Sequence, residues 1–206
     1  MNALPLKAYL VSHRDEDDGA CIEFASGKKL ARRLGASTLN CPPDEVTCTR
    51  ASVWDSYADQ GKVPVGALLE AGWWFECAYC CQCVTKVSPE ESLEGFGPPL
   101  IEGDHVFCCA DHQEAYRERQ MQRQQALDAG RAATLARWPG VAIQGASTGW
   151  LDSETQTYSL TKVRFTFPGG RHAAEWRVGT PGPNVAPSDQ EAWARFERLP
   201  HAPAAV

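Results

Sequence analysis

No window of the 206-residue chain approaches the roughly eighteen uncharged apolar residues needed to cross a bilayer as a helix. Its opening, MNALPLKAYLVSHRDEDDG, lacks the basic stretch, long apolar run and small-residue cleavage site of a secretory leader. Also missing are the H-x-E with P-C-x-x-C of zinc deaminases and the H-E-x-x-H of zinc proteases. No segment repeats another. An even set of cysteines is lacking as well: there are nine, and they cluster, whereas a secreted disulfide scaffold spreads an even number along a short chain. These absences lead us to expect a chain without membrane spans, carrying reduced thiols in a cytoplasmic compartment.

What the sequence does have is GWWFECAYCCQCVTKV, with Cys77, Cys80, Cys81 and Cys83 inside seven positions. Further on comes HVFCCADHQEAYRERQ, in which Cys108, 27 intervening residues beyond the C-x-x-C, and His112 are separated by three residues at the opening of a helical pattern. A zinc ion takes four tetrahedral ligands of thiolate and imidazole type, and two short-spaced pairs joined by a longer arm deliver them from one chain. Cys77, Cys80, Cys108 and His112 fit that description. The first pair falls on a knuckle after a strand. The second falls at a helix start, where backbone N–H groups and the helix dipole favour a thiolate. Knuckle, hairpin and ligand-donating helix together make a treble-clef arrangement. Cys109 is an alternative to Cys108, and Cys81 or Cys83 to Cys80. A second ion would have to draw on Cys81, Cys83, Cys109 and His105, and one ion is the simpler expectation.

A redox reading of the C-x-x-C fails on context, because a thioredoxin-like pair opens a helix, whereas CQCVTKVS continues as strand. Asp104-His105 could be taken for the start of an HNH-type nuclease site, but no asparagine-histidine pair follows in register, and His105 reads as a strand residue. Cys21 and Cys48 sit in the alternating runs ACIEFA and VTCTRASV, where a thiol behaves as a small hydrophobe. Cys41, before Pro42-Pro43, is expected in a loop.

The pattern along the chain predicts an α+β protein in three pieces. Residues 1–71 read as a small N-terminal ββαβ domain: strands in KAYLVSH, ACIEFA and VTCTRASVW, and a helix in SGKKLARRLG with Ser26 as N-cap and Gly35 as its stop. A short helix, VPVGALLEAG, follows, with Pro64 at its first turn and Gly72 just past its end. Residues 72–138 hold the cysteine segment and a long helix that is polar nearly all round through RERQMQRQQ. A break at Gly130 is a candidate, and Leu127, Leu135 and Trp138 are candidates for docking that helix onto the last piece. Residues 139–200 read as an antiparallel sheet, with PGG before Arg171 as a tight turn, an irregular linker TPGPNVAPS, and a short helix with Ser188 as N-cap. Residues 201–206 read as a disordered tail.

Charge separates the functional options. The chain has 20 Lys and Arg against 26 Asp and Glu, a net charge of −6. Between residues 71 and 113 a single basic residue faces seven acidic ones, so the cysteine segment should repel a phosphate backbone. Candidate partner-binding residues are Arg117, Arg119 and Arg123 on the long helix and the aromatic pair Trp73 and Trp74. With Phe75, that pair also reads as an apolar wall joining the first domain to the knuckle. Lys28, Lys29, Arg32 and Arg33 are a second basic run.

Phe107-Cys108 with His112 resembles the helix-start signature of many treble-clef fingers, which favours Cys108 over Cys109. Over its full length, the segments Phe24 to Arg32, Gly72 to Cys80 and Phe107 to His112 resemble small uncharacterised proteins of tailed phages and prophages. Cys81, in the usual glycine slot, and the extra Cys109 depart from that pattern. The resemblance implies a mobile-element origin and a host-cell cytoplasmic location, and brings no catalytic residue with it. The expectation is a non-enzymatic, zinc-stapled accessory factor that binds a host or phage protein in a host machine or defence system. A nucleic-acid-binding regulator using the arginines of the long helix is the alternative, with a metal-dependent nuclease third.

Overall fold

The computed structural model describes residues 5–14, 19–86, 98–149, 151, 158 and 161–199. The loop expected in SPEESLEGFGPP and the tail 201–206 lie largely or wholly outside them. The architecture is mixed α and β, with small antiparallel sheets and one long helix. It divides into two compact units between Gln113 and Glu114, inside that helix.

In the first unit, β1 (Lys7–His13) runs between β2 (Ala20–Ala25) and β3 (Val46–Arg50) in an antiparallel sheet of order β2-β1-β3. Because side chains alternate across a strand, β1 feeds a core on each face. Tyr9 and Val11 pack with Ala25, Val46 and Cys48 beneath α1 (Lys28–Thr38), while Ala8 packs with Phe24 and Val63 on the other face. Cys48 is buried in the first of these cores, with Cys21 and Cys41 packed against it, and burial pushes the Cys21 thiol up to about 12.

Two helix boundaries differ from expectation. Gly35 does not end α1; it is buried mid-helix, where an added Cβ would meet Val11 Cβ at 2.5 Å, so glycine lets the helix lie against β1. The stop is Asn40, at φ +54°, with Asn40 N–H donating to Ser37 O and Cys41 N–H to Ala36 O. That is the hydrogen-bond pattern of a Schellman ending, with asparagine in the left-handed position. At the other end Gly27, not Ser26, is the N-cap, without a side-chain bond.

β3 ends at Arg50, short of the strand expected through Trp54. There the Asp55 carboxylate accepts the Ala8 N–H at 2.8 Å and pairs with Arg50, and residues Ser52–Gln60 turn into 3-10 helix. α2 (Val65–Glu70) follows Pro64 and ends in the same Schellman pattern at Gly72, φ +86°, as expected. The chain then forms the pair β4 (Phe75–Glu76) and β5 (Cys83–Val84), and the hairpin of β6 (Leu100–Glu102) and β7 (His105–Phe107). α3 (Ala110–Arg137) begins three residues later.

The second unit holds most of α3 and an antiparallel sheet of order β10-β9-β8, from β8 (Ala142–Ser147), β9 (Lys162–Thr166) and β10 (Ala174–Arg177). Phe167 to Gly170 make a turn with Gly169 at φ +85°, which explains the PGG. Helix α4 (Gln190–Glu197) adds Trp193 and Phe196 to a core of Trp138, Val141, Val163, Phe165, Phe167 and Trp176. α3 runs through Gly130 unbroken, because that glycine is a contact: its added Cβ would lie 2.5 Å from Thr161 Cγ2. Gly130, Thr134 and Trp138, one turn apart each, are the buried stripe, whereas Leu135 is 44 % exposed and does not dock. Before α4, Ser188 sits in a 3-10 turn and Asp189 takes the N-cap position.

Candidate metal centre

Four side chains of the first unit converge. The Cys77 and Cys80 sulfurs, the Cys108 sulfur and a His112 ring nitrogen all lie within 4.8 Å of one another, and no other such His/Cys/Asp/Glu group occurs among the described residues. Each is placed by a local cause. β4 delivers Cys77, whose N–H donates to Gln82 O, and the chain reverses with Cys81 N–H donating to Cys77 O. That reversal requires φ +61° at Cys81, the left-handed region where glycine is usual. The Ala78 N–H donates to Val106 O, tying the knuckle to β7. β7 ends in the fully buried Phe107 and delivers Cys108, and the first turn of α3 brings His112 to the same side. The Tyr79 ring stacks on His112 with centroids 4.9 Å apart.

The distances suit a tetrahedral ion. A thiolate–zinc bond of about 2.3 Å implies a tetrahedron edge near 3.8 Å. Cys80 Sγ to Cys108 Sγ is 3.8 Å and Cys77 Sγ to His112 Nδ1 is 4.0 Å. Cys108 Sγ to His112 Nδ1, at 2.9 Å, is shorter than that edge and has hydrogen-bond length. The electrostatics point the same way. Burial opposes charge on Cys77, yet the backbone N–H groups of Cys80, Cys108 and Tyr79 bring its thiol down to about 6. Burial, then the neighbouring sulfurs of Cys77 and Cys80, push Cys108 up to about 12. The site is built to stabilise one thiolate and penalises the next, a conflict that a divalent cation among the sulfurs removes. Cys77 and Cys108 are buried, and Cys80 and His112 half-buried. The residues present therefore fit a metal ion.

The alternates stand outside the group. Cys81 and Cys83 are exposed, and Cys109 is half-buried. Asp104 forms an ion pair with Lys62 at 2.7 and 2.9 Å, which holds its carboxyl below the usual range, and His105 is a strand residue whose backbone lies opposite Glu102 in the β6–β7 hairpin. Trp73 is half-buried and Trp74 46 % exposed. With Phe75 they line a cleft of about 740 Å³ whose other walls include Ala20 to Ile22 of β2, Val63 and Leu68. The aromatic wall thus faces an edge strand of the first sheet and leaves open space there, which the linear pattern did not signal.

Arg117 and Arg123 are exposed and Arg119 half-buried. At 100° per residue, Arg119 and Arg123 share a face of α3 and Arg117 points to the other side. The Tyr158 hydroxyl donates to Arg119 O at 2.9 Å. Sequence reasoning also missed Asp189. Buried beside α4, it accepts the N–H groups of Arg171 and His172 at 2.9 and 2.7 Å and lies 3.2 Å from His172 Nδ1. Ser188 Oγ approaches the same ring nitrogen at 3.4 Å, so the trio lacks the opposite-nitrogen arrangement of a hydrolytic triad. No described helix is long and apolar enough to cross a membrane. Comparison with family models, with curated proteins and with solved structures gives no match.

Proposed function

We propose that Cys77, Cys80, Cys108 and His112 hold a structural zinc ion in a treble-clef-like finger, and that the chain is a non-enzymatic accessory factor that binds another protein. The observation that carries this is the completeness of the ligand set. Three sulfurs and one imidazole fill a tetrahedron, and a catalytic zinc keeps one position for water or substrate. Sulfur-rich donors select zinc over the hard cations. Bound zinc fixes the knuckle, the β6–β7 hairpin and the first turn of α3 against one another. The sequence resemblance supports a phage or prophage origin, a host-cell cytoplasmic location, and a host machine or defence system as the setting.

The test has two parts. Metal analysis of purified protein should find one zinc per chain, lost in Cys77→Ser. Affinity capture from bacterial lysate, with and without nuclease, should retain a stoichiometric protein after nuclease treatment. A second reading, a nucleic-acid-binding regulator, draws support from Arg119 and Arg123 standing one turn apart on α3. It requires that nucleic acid co-purify, that binding fall steeply with log salt, and that Arg119→Glu with Arg123→Glu abolish it. The acidity of the Cys/His segment argues against that reading.

A further inference from the structure

Lys28, Lys29, Arg32 and Arg33 look, in linear order, like a phosphate-binding run. The folded helix separates them. Arg32 is half-buried and its Nη2 donates to Val46 O at 3.1 Å, inside the first unit. Lys28 occupies the first position of α1, and its carbonyl accepts from Cys48 Sγ. Lys28 and Arg32 share one row and Lys29 and Arg33 the next, each pair four residues apart; of the second row both members are exposed, and it lies on the far side of the helix from the buried Ala31. Directly alongside runs a second row, Leu30 and Leu34, 42 % and 40 % exposed. Among the described residues, neither Lys29 nor Arg33 has an ion-pair partner. A groove of about 400 Å³, lined by Ser26, Gly27, Lys29, Leu30 and Arg33, opens beside the first turn.

A row of two cations against a row of two leucines is a poor phosphate surface. Phosphate contacts reward cations alone, and apolar side chains left against a hydrated backbone gain nothing. The same pattern is what an amphipathic helix meets in a groove, with apolar anchors at i and i+4 and charges beside them. The sign of the charge selects the partner. α1 contains no acidic residue, while the whole chain carries −6, so Lys29 and Arg33 stand on an acid-free helix of an acidic protein, with Glu23 of β2 reaching only its far end, at Thr38. We propose that the outward face of α1 docks an acidic amphipathic helix of another protein, whose apolar side chains seat against Leu30 and Leu34 and whose Asp or Glu residues meet Lys29 and Arg33. The proposal shares with the preceding section the premise of a protein partner, but places the contact on a different element from the metal site.

The probe is a displayed library of helical peptides about twenty residues long, selected against the zinc-loaded full chain and counter-selected on the Leu30→Ser/Leu34→Ser protein. Enriched peptides should carry apolar residues at i and i+4 flanked by Asp or Glu. Synthetic versions should bind about tenfold or more weakly to Lys29→Glu/Arg33→Glu and, separately, to Leu30→Ser/Leu34→Ser. All four positions are exposed, so zinc content and melting midpoint should match the parent, which keeps this test apart from failure of the metal site. Peptides of basic or neutral composition, or acidic ones that bind both double variants like the parent, overturn the proposal. So does binding of a 20-base-pair duplex that Lys29→Glu/Arg33→Glu abolishes and Leu30→Ser/Leu34→Ser spares. A dimer seen by sedimentation and dissolved by either pair would assign the face to a second copy and equally refute it.

Discussion

The second unit and the Cys/His segment of the first solve the same problem by opposite means. The second unit buries Trp138, Phe165, Phe167, Trp176 and Phe196 in one cluster, where Trp138 meets Trp176 edge-on at 5.0 Å and Phe165 at 5.6 Å. Around the knuckle, the buried hydrophobic side chains among the described residues are Val84, Val106 and Phe107 beside the sulfurs of Cys77 and Cys108. Five aromatic side chains bury enough apolar surface to order a small sheet; three aliphatic or aromatic side chains under two-residue and three-residue strands do not. On the proposed zinc reading, the Cys/His segment would take from coordination what the second unit obtains from water exclusion.

The sharpest way to break that contrast is to remove the metal. Because zinc-binding free energy in small sites becomes folding free energy, on the order of 10 kcal/mol, chelation or Cys77→Ser should unfold the Cys/His segment. Hydrogen exchange should then become fast across residues 75–86 and 98–113, while β8 to β10 stay protected. Retained protection in 98–113 would show that the apolar contacts suffice alone. The converse experiment is Trp138→Ala, which removes the ring shared by α3, the sheet and α4. It should cost the second unit about 3–5 kcal/mol and leave zinc stoichiometry untouched. A parallel loss of zinc would mean that the two means of ordering are coupled.

Two buried helix glycines refine the comparison. Alanine gains about 1 kcal/mol of helix propensity at either site, but overpacking costs about 1–3 kcal/mol. At Gly35 the obstacle is Val11 Cβ, the branching root of a buried side chain, so Gly35→Ala should be clearly destabilising. At Gly130 the close atom is the methyl tip of Thr161, a side-chain end that yields more cheaply than a Cβ root although its hydroxyl donates to Ala126 O, so Gly130→Ala should be less destabilising than Gly35→Ala by denaturant melts.

The smallest effect concerns acid. Backbone N–H donation from His172, and next from Arg171, holds the Asp189 carboxyl below the usual range against the opposing push of burial. A carboxyl with a depressed folded pKa contributes stability that is complete above its unfolded value, about 3.9, and lost as pH falls through the folded value. The parent should therefore lose second-unit stability below about pH 4, and Asp189→Asn, already less stable by a few degrees at neutral pH, should approach the parent there. A constant gap between the two melting midpoints across that window would remove the carboxylate from the account.

Much of the site was legible because coordination chemistry constrains spacing: C-x-x-C, then Cys and His one helical turn apart, can be read without a fold. Strands β1 and β2 were legible from alternation, and the end of α2 from Gly72. The end of α1 was not. The same Schellman geometry occurs at Asn40, but Gly35 stood nearer the expected stop, and nothing local tells a glycine that ends a helix from one that lets it touch Val11. Gly130 misled in the same way. The turn into 3-10 helix after Arg50 depends on Asp55 reaching Ala8, 47 positions away, a contact with no local signal. The two leucine–cation rows of α1 became visible only once Arg32 was seen to turn inward.

The knuckle's left-handed residue has a practical side. Cysteine at φ +61° costs roughly 1–2 kcal/mol that glycine would not, and it leaves a sulfur exposed beside the ligand pair. Cys81→Gly should raise the melting midpoint and, at the same time, delete a surface thiol open to air oxidation and intermolecular crosslinking. For anyone preparing the protein, that replacement removes one of the two exposed thiols Cys81 and Cys83, and in a Cys83→Ser background Cys81 is conversely an attachment point for a fluorophore or spin label that reports on the neighbouring Cys/His cluster.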